Sequence, residues 1–213
     1  MNMRKMSAAA VMMLMLMSAV SCGDKNKEIS GSETAVTIPS VDAGSDVVAA
    51  EDGPKLSFSE TEAAPGEIAE VSLYVKDAQA KWSMCGIHVT FSDELECQME
   101  DPAENLIKYD TGDASKYATG SVGMLWTNEL PKELTSQHLG SLFFTEIFKG
   151  DQGLDGEIAK FYFKVPENAA SGTVYPIGIY YMEGNDLFIN AANDASFQKY
   201  AFENWKGGSI TVK

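Results

Sequence analysis

CGIHVTF, residues 85–91, is the stretch that decides the fold of this 213-residue chain. Apolar side chains alternate in it with small or polar ones. One face would therefore carry Cys85, Ile87, Val89 and Phe91, and the other would carry Gly86, His88 and Thr90. A period of two is typical of a β-strand that has one face in a core. We predict a strand here, with the first set of side chains inside and the second set outside.

Further strand-like segments lie on both sides of this stretch. They cover residues 56–59, 68–75, 122–127, 141–148, 158–165, 174–182 and 209–212. Turn residues separate them, as in Ala64-Pro65-Gly66-Glu67, Asp155-Gly156 and Gly207-Gly208. Helices are predicted only as short pieces near residues 103–107, 130–139 and 191–199. This pattern predicts an all-β, two-layer sandwich with short helical or loop insertions.

The N-terminal region has a different composition. Residues 1–21 combine basic Arg4 and Lys5 with an apolar stretch and small residues, which is typical of a secretory signal peptide. Cys22 follows a small residue, as in a bacterial lipobox, so we expect it to be lipidated; Ala19-Val20-Ser21 would also suit ordinary cleavage and free secretion. Residues 22–53 lack aromatic side chains and predict a flexible linker. The folded domain is then residues 54–213, outside the cell.

Charge and motifs exclude several classes of function. A net charge of −15 argues against nucleic acid and against anionic lipid surfaces as partners. The two histidines, His88 and His138, belong to neither a G-x-S-x-G nor an H-E-x-x-H pattern. No D-x-D-x-D-G calcium loop and no Cys/His cluster is present in the sequence. We therefore expect a protein that is not an enzyme and has no metal or cofactor of its own.

Several motifs, in order along the chain, resemble cohesin domains. The turn Ala64–Glu67 leads into an alternating strand, and Met84–Ser92 resembles the third strand of that family. Asp155–Val165 resembles the seventh strand, Ala170–Tyr175 resembles the turn into the eighth, and Gly207–Val212 matches the closing strand. Phe91-Ser92 stands where the common types end in Tyr-Asp, which indicates a divergent, rumen-bacterium-like cohesin. The segment 102–119 is also long for the family.

The resemblance implies a nine-stranded jelly-roll β-sandwich. It implies a scaffoldin-type role in a cellulosome, in which the domain binds a dockerin module on a partner protein involved in polysaccharide degradation. Calcium would belong to that dockerin. The chain would be a monomer apart from its partner, and its attachment to the cell surface would come only from the Cys22 lipid.

The family binds with one sheet, made of its strands eight, three, six and five. On strands three and eight we expect the outward residues to bind the dockerin. On strands five and six the parity is open, since Met124 and Trp126 compete with Leu125 and Thr127, and Phe143, Thr145 and Ile147 compete with Leu142, Phe144 and Glu146. We expect Leu125, Leu142 and Phe144 to face outward. The predicted dockerin-binding residues are Met84, Gly86, His88, Thr90, Leu125, Leu142, Phe144, Gly178, Tyr180 and Met182.

Two alternatives stay open at this stage. Secreted jelly rolls also include carbohydrate-binding modules, and an aromatic platform for sugar could come from Trp82, Trp126, Trp205, Tyr180 and Tyr181. A secreted protein can also form disulfides, and Cys85 and Cys97 remain if Cys22 is lipidated. The family resemblance instead makes Cys85 a small residue of the core.

Overall fold

A computed structural model describes residues 36–44, 46–78 and 80–213. The signal peptide, Cys22 and the first part of the predicted linker lie outside these residues. The described chain forms two β-sheets that pack face to face, which confirms the predicted all-β sandwich. Neither of its helices is long and apolar enough to cross a membrane.

One sheet has the order β1-β3-β11-β5, with β8 also paired to β11. Its strands are β1 (Lys55–Phe58), β3 (Ile68–Lys76), β5 (Glu96–Cys97), β8 (Tyr109–Thr111) and β11 (Gly156–Lys164). Their inward side chains, such as Val71, Leu73 and Phe161, are fully buried. This sheet forms one wall of the core.

The larger sheet has the order β2-β14-β12-β4-β10-β9-β7-β6, with β13 also paired to β4. Its strands are β2 (Glu60–Ala63), β4 (Met84–Ser92), β6 (Met99–Asp101), β7 (Leu106–Ile107), β9 (Ala118–Trp126), β10 (Leu139–Phe148), β12 (Val174–Ile179), β13 (Leu187–Ile189) and β14 (Gly208–Val212). The run β12-β4-β10-β9 is the eight-three-six-five order that the resemblance implies.

Short strands raise the number of described strands from the expected nine to fourteen. Most of the excess lies between residues 96 and 111, where the chain forms four of them. The prediction of a helix near residues 103–107 is wrong, because β6 and β7 pair there as an antiparallel hairpin. Pairing of Leu106 with Met124 of β9 fixes this hairpin as an extension of the larger sheet.

The other two predicted helices are present in shorter or shifted form. α1 covers only Lys132–Thr135, and α2 covers Ala195–Glu203. The start of α2 is set by Asp194, whose side chain accepts hydrogen bonds from the Ser196 and Phe197 backbone N–H groups. A single 3-10 turn at Asp113–Ser115 precedes β9.

The prediction of a flexible linker up to residue 53 is wrong for the part that the structure describes. Ile38 and Ala43 are 1% and 6% exposed and belong to the main core cluster. The Lys199 ammonium of α2 also holds this segment, with Asp42 Oδ1 at 2.9 Å and the Gly44 carbonyl at 2.6 Å. The folded domain therefore begins before residue 54.

Candidate protein-binding face

The face of interest is the outer face of the four strands β12-β4-β10-β9. In an antiparallel pair, directly opposite residues share a face, so the register assigns each side chain. Phe143 lies opposite His88 and Met124, and Thr145 lies opposite Gly86 and Val122. The outer position of Gly86, His88 and Thr90 on β4 agrees with the sequence prediction, as does the inner position of Cys85, Ile87, Val89 and Phe91.

The predicted orientation of β9 and β10 is wrong. Leu142 lies opposite Val89 and Leu125, and Phe144 lies opposite Ile87, so Leu125, Leu142 and Phe144 face the core. Leu142 and Phe144 are fully buried there, and Leu125 packs against the same cluster. These three residues cannot contact a partner on the outer face. The alternative parity is the observed one, with Met124, Trp126, Phe143, Thr145 and Ile147 outside.

Glu146 is a carboxyl-bearing residue on the core face of β10. It lies on the same face as Leu142 and Phe144, and only 1% of its surface is exposed. Its Oε2 lies 2.5 Å from Ser115 Oγ, which is also 2.7 Å from the Ile158 carbonyl. Burial raises the pKa of the Glu146 carboxyl to about 7, although the Ser115 hydrogen bond opposes this. A carboxyl group that holds a proton can occupy a core position.

Part of the outer face is covered by the N-terminal segment. Gly178 on β12 has no side chain, and Ile38 occupies that space: a Cβ at Gly178 would lie 2.4 Å from Ile38 Cδ1 and 3.0 Å from the Trp205 ring. Gly178 is buried as a result. Its predicted outward direction holds, but its predicted exposure is wrong, because the chain's own segment lies over it.

His88 is also outward but not exposed. Its Nδ1 lies 2.5 Å from Asp186 Oδ1, and its ring packs between Trp126 and Phe143 at centroid distances of 4.7 and 4.8 Å. Asp186 Oδ2 accepts a hydrogen bond from the Met182 N–H at 2.8 Å. Burial raises the pKa of the Asp186 carboxyl, and its hydrogen bond with His88 opposes this. The pair holds the turn after β12 against β4 and removes His88 from the free surface.

Thr90 and Gly86 are buried on the same face. Thr90 is 0% exposed, and among the described residues its hydroxyl has no hydrogen-bond partner. Gly86 is covered by the ring of Phe143 and by the Asn185 carbonyl, which would lie 3.1 and 3.5 Å from an added Cβ. The predicted exposure of both residues is therefore wrong.

A small second cluster covers the end of β12. Tyr180 is 9% exposed and packs with Leu134 of α1 and Leu139, so its predicted exposure is also wrong. The half-buried members around it are Val36, Trp126, Leu130 and Met182. Together with Ile38, this cluster closes the β12 half of the face.

The β9–β10 half of the face is open. Val122, Met124 and Ile147 are 36%, 41% and 46% exposed, and they are three of the seven exposed large hydrophobic residues of the described chain. Half-buried Phe143 lies opposite Met124 in the register, and its ring extends over Gly86 and His88 of β4. We call Val122, Met124, Phe143 and Ile147 the apolar patch. Half-buried Met84 borders it, since Met84 lies opposite Ile147.

The predicted aromatic platform for sugar is not present on this surface. Trp82 and Trp205 are 0% and 2% exposed, and Trp82 packs on Phe148 and Phe188. Tyr180 and Tyr181 are buried as well, which leaves only half-buried Trp126. Four of the five rings therefore serve packing, and the carbohydrate-binding alternative loses its main support.

The two cysteines that the structure describes, Cys85 and Cys97, are buried free thiols. They belong to different sheets, β4 and β5. Burial raises the pKa of the Cys97 thiol to about 12, and it raises the pKa of Cys85 well above its usual range. Both side chains therefore act as small apolar core residues, as the resemblance implied for Cys85.

The chain matches known proteins by its structure and not by its sequence. No protein-family model matches the chain, and no curated protein matches it. Among solved structures it is similar to a type III cohesin module from the cellulosomal ScaE cell-surface anchoring scaffoldin of Ruminococcus flavefaciens. That match has a TM-score of 0.65 and 24% identity, and it covers 82% of this chain and 96% of the module.

Two further matches are cohesins in complex with dockerins. The sixth cohesin of Acetivibrio cellulolyticus scaffoldin B, in complex with a mutant Cel5 dockerin, matches at a TM-score of 0.52 and 18% identity over 76% of this chain and 99% of that one. A type I cohesin–dockerin complex from Clostridium thermocellum matches at 0.50 and 10% identity, over 76% and 100%. With its two sheets and its β12-β4-β10-β9 face, the domain has the cohesin fold.

Proposed function

We propose that this domain binds a dockerin module on a partner protein and has no catalytic role. The observation that carries the proposal is the apolar patch on the outer face of β9 and β10. Neighbouring apolar side chains that are exposed on a sheet surface often mark an interaction site, because soluble proteins rarely expose apolar patches that do not bind a partner. The similar cohesins from Acetivibrio cellulolyticus and Clostridium thermocellum, which are in complex with dockerins, support this choice of partner.

The chemistry of the patch suits a protein partner. Met124 adapts to irregular partner surfaces, and the Phe143 ring offers a large apolar area. The sheet beneath them is rigid, because β10 is paired along its length with both β4 and β9. A partner would therefore meet a preformed surface and would not have to order it on binding.

The proposed location is outside the cell, as for the cell-surface scaffoldin of Ruminococcus flavefaciens. In the full proposal, cleavage after residue 21 exposes Cys22, a lipid on Cys22 anchors the chain, and the domain tethers a dockerin-bearing protein at the surface. Calcium is expected in the dockerin. Mass spectrometry of the mature N-terminus tests the anchor: a diacylglyceryl-modified Cys22 supports it, and an unmodified N-terminus contradicts it.

The binding proposal is tested with purified, calcium-loaded dockerin modules of the source organism, measured singly by titration calorimetry. We expect at least one module to bind, and we expect Met124→Asp and Ile147→Asp each to weaken that complex by about 30-fold or more. A carboxylate at the centre of a desolvated interface costs about 2 kcal/mol or more, which corresponds to this factor.

Ile68→Asp is the matched control, since Ile68 is 53% exposed and lies on β3 of the other sheet. It introduces the same charge at an exposed strand position and should leave the affinity unchanged. If no dockerin binds the wild type, or if the control variant weakens binding as much as Met124→Asp, the proposed function or its location on this face is wrong.

A further inference from the structure

The β6–β7 hairpin lies directly beside the apolar patch. Leu106 pairs with Met124, and the Leu125 N–H donates a hydrogen bond to the Asn105 carbonyl at 2.8 Å. The hairpin turn at residues 102–105 therefore lies next to the end of β9. Ile107 attaches the hairpin to the core, because its buried side chain fills the space next to Gly123, which has no side chain on that face. The outer face thus continues from the patch onto the hairpin.

The exposed side of this hairpin is acidic. Glu100, Asp101 and Glu104 are exposed, and Asp101 lies opposite Leu106 in the register. Within the described part of the chain, none of these three carboxylates forms an ion pair. The following basic residue, Lys108, directs its ammonium to the Tyr162 ring of the other sheet, 4.9 Å from the ring centre. The hairpin therefore presents negative charge that the described chain does not neutralise.

The opposite side of the patch is closed. Ile38 and Trp205 cover Gly178 on β12, and the cluster around Tyr180 and Leu134 covers the end of that strand. A partner that sits on the apolar patch can extend over the hairpin without displacing any part of the described chain, but it cannot extend over β12 in this way. The available surface is therefore an apolar centre with an acidic margin on the β7–β6 side.

We propose, building on the dockerin-binding function, that the β6–β7 hairpin is part of the interface and selects a partner with a basic margin. The partner module places an apolar ridge on the apolar patch and Lys or Arg side chains opposite Glu100, Asp101 and Glu104. Complementary charge at the rim of an interface mainly raises the association rate and disfavours partners with acidic margins. Such rim contacts weaken as salt screens them.

The test uses the calcium-loaded dockerin module that binds the wild type most tightly, with association and dissociation rates measured by surface plasmon resonance at 20 mM and 500 mM NaCl. The variant is Glu100→Gln/Glu104→Gln. The control is Glu51→Gln/Glu62→Gln, which removes the same charge at two exposed positions away from the patch. At 20 mM NaCl we expect the hairpin variant to associate about 3- to 10-fold more slowly, whereas the control changes little.

At 500 mM NaCl the difference between the hairpin variant and the wild type should largely disappear. Equal rates for the hairpin variant and the wild type at 20 mM NaCl, or an equal loss in both double variants, would overturn the role of the hairpin while leaving the dockerin-binding function intact. Absence of any dockerin binding to the wild type would overturn both. The variant Glu100→Lys/Glu104→Lys is a second test: because it reverses the two charges, it should associate with the dockerin more slowly still.

Discussion

Glu146 is a carboxyl group on the core face of a strand, and its environment determines its protonation state. The Ser115 hydroxyl has one hydrogen and contacts two acceptors, Glu146 Oε2 and the Ile158 carbonyl. The single hydrogen is shared between them, so the Glu146 carboxylate receives less than a full hydrogen bond to compensate for its burial. Burial therefore outweighs the Ser115 contact, and the carboxyl group keeps its proton up to about pH 7.

This protonation makes the stability of the domain depend on pH. The pKa of Glu146 rises from 4.5 to about 7 on folding. The contribution of Glu146 to stability is complete below pH 4.5 and declines as the pH rises, and the loss reaches about 3 kcal/mol above about pH 7. We expect Glu146→Gln, which stays neutral, to lose less stability than the wild type between pH 5 and pH 8 in urea unfolding. Parallel pH profiles for the two proteins would contradict this prediction.

At the scale of elements, sequence reasoning succeeded where a strand has one apolar face and failed where both faces are apolar. On β4 the polar and small residues fall on one side, and the structure has the predicted orientation. On β10 the run Leu142-Phe143-Phe144 is apolar on both faces, so the alternation leaves its orientation open, and Glu146 lies on the core face although it carries a carboxyl group. Its burial depends on Ser115, 31 positions away in sequence, and no local pattern contains that contact.

The N-terminal segment shows a second limit of the same kind. Its composition indicates a spacer, yet Ile38 is buried because Gly178 and Trp205 form a site for it. That site is assembled from parts of the chain 140 or more residues away, so only the folded structure shows it. The sequence therefore could not predict that β12 is covered. The order of the strands in the sheet could be predicted, because the order of the strands along the chain resembles that of the cohesin family.

The segment should contribute to stability through this contact. We expect Ile38→Ala to lower the free energy of unfolding by about 2 kcal/mol or more, because it removes buried methyl groups and leaves a cavity. Val48→Ala is the control, since Val48 is 86% exposed. Both are measured by urea unfolding of the chain from residue 22. A loss in Ile38→Ala no larger than in Val48→Ala would mean that the segment does not pack as described.

At the scale of the whole molecule, an excess of negative charge acts on every element. The chain carries 31 acidic and 16 basic residues, and most ion pairs among the residues that the structure describes lie at the surface, where each contributes little. Repulsion among the remaining carboxylates opposes the compact state and is screened by salt. The same charge makes copies of the domain repel one another and so opposes self-association through the apolar patch.

We therefore expect the melting temperature to rise with salt. Between 10 and 200 mM NaCl the expected gain is about 1 kcal/mol, or about 2–4 °C for a domain of this size. Glu51→Gln/Glu62→Gln, with two fewer negative charges, should show a smaller rise, because less repulsion remains to be screened. Choline chloride should act like NaCl if the effect is screening and not the binding of sodium. A melting temperature that is flat or falls over this range would mean that attractive ion pairs, such as Lys199 with Asp42, outweigh the repulsion.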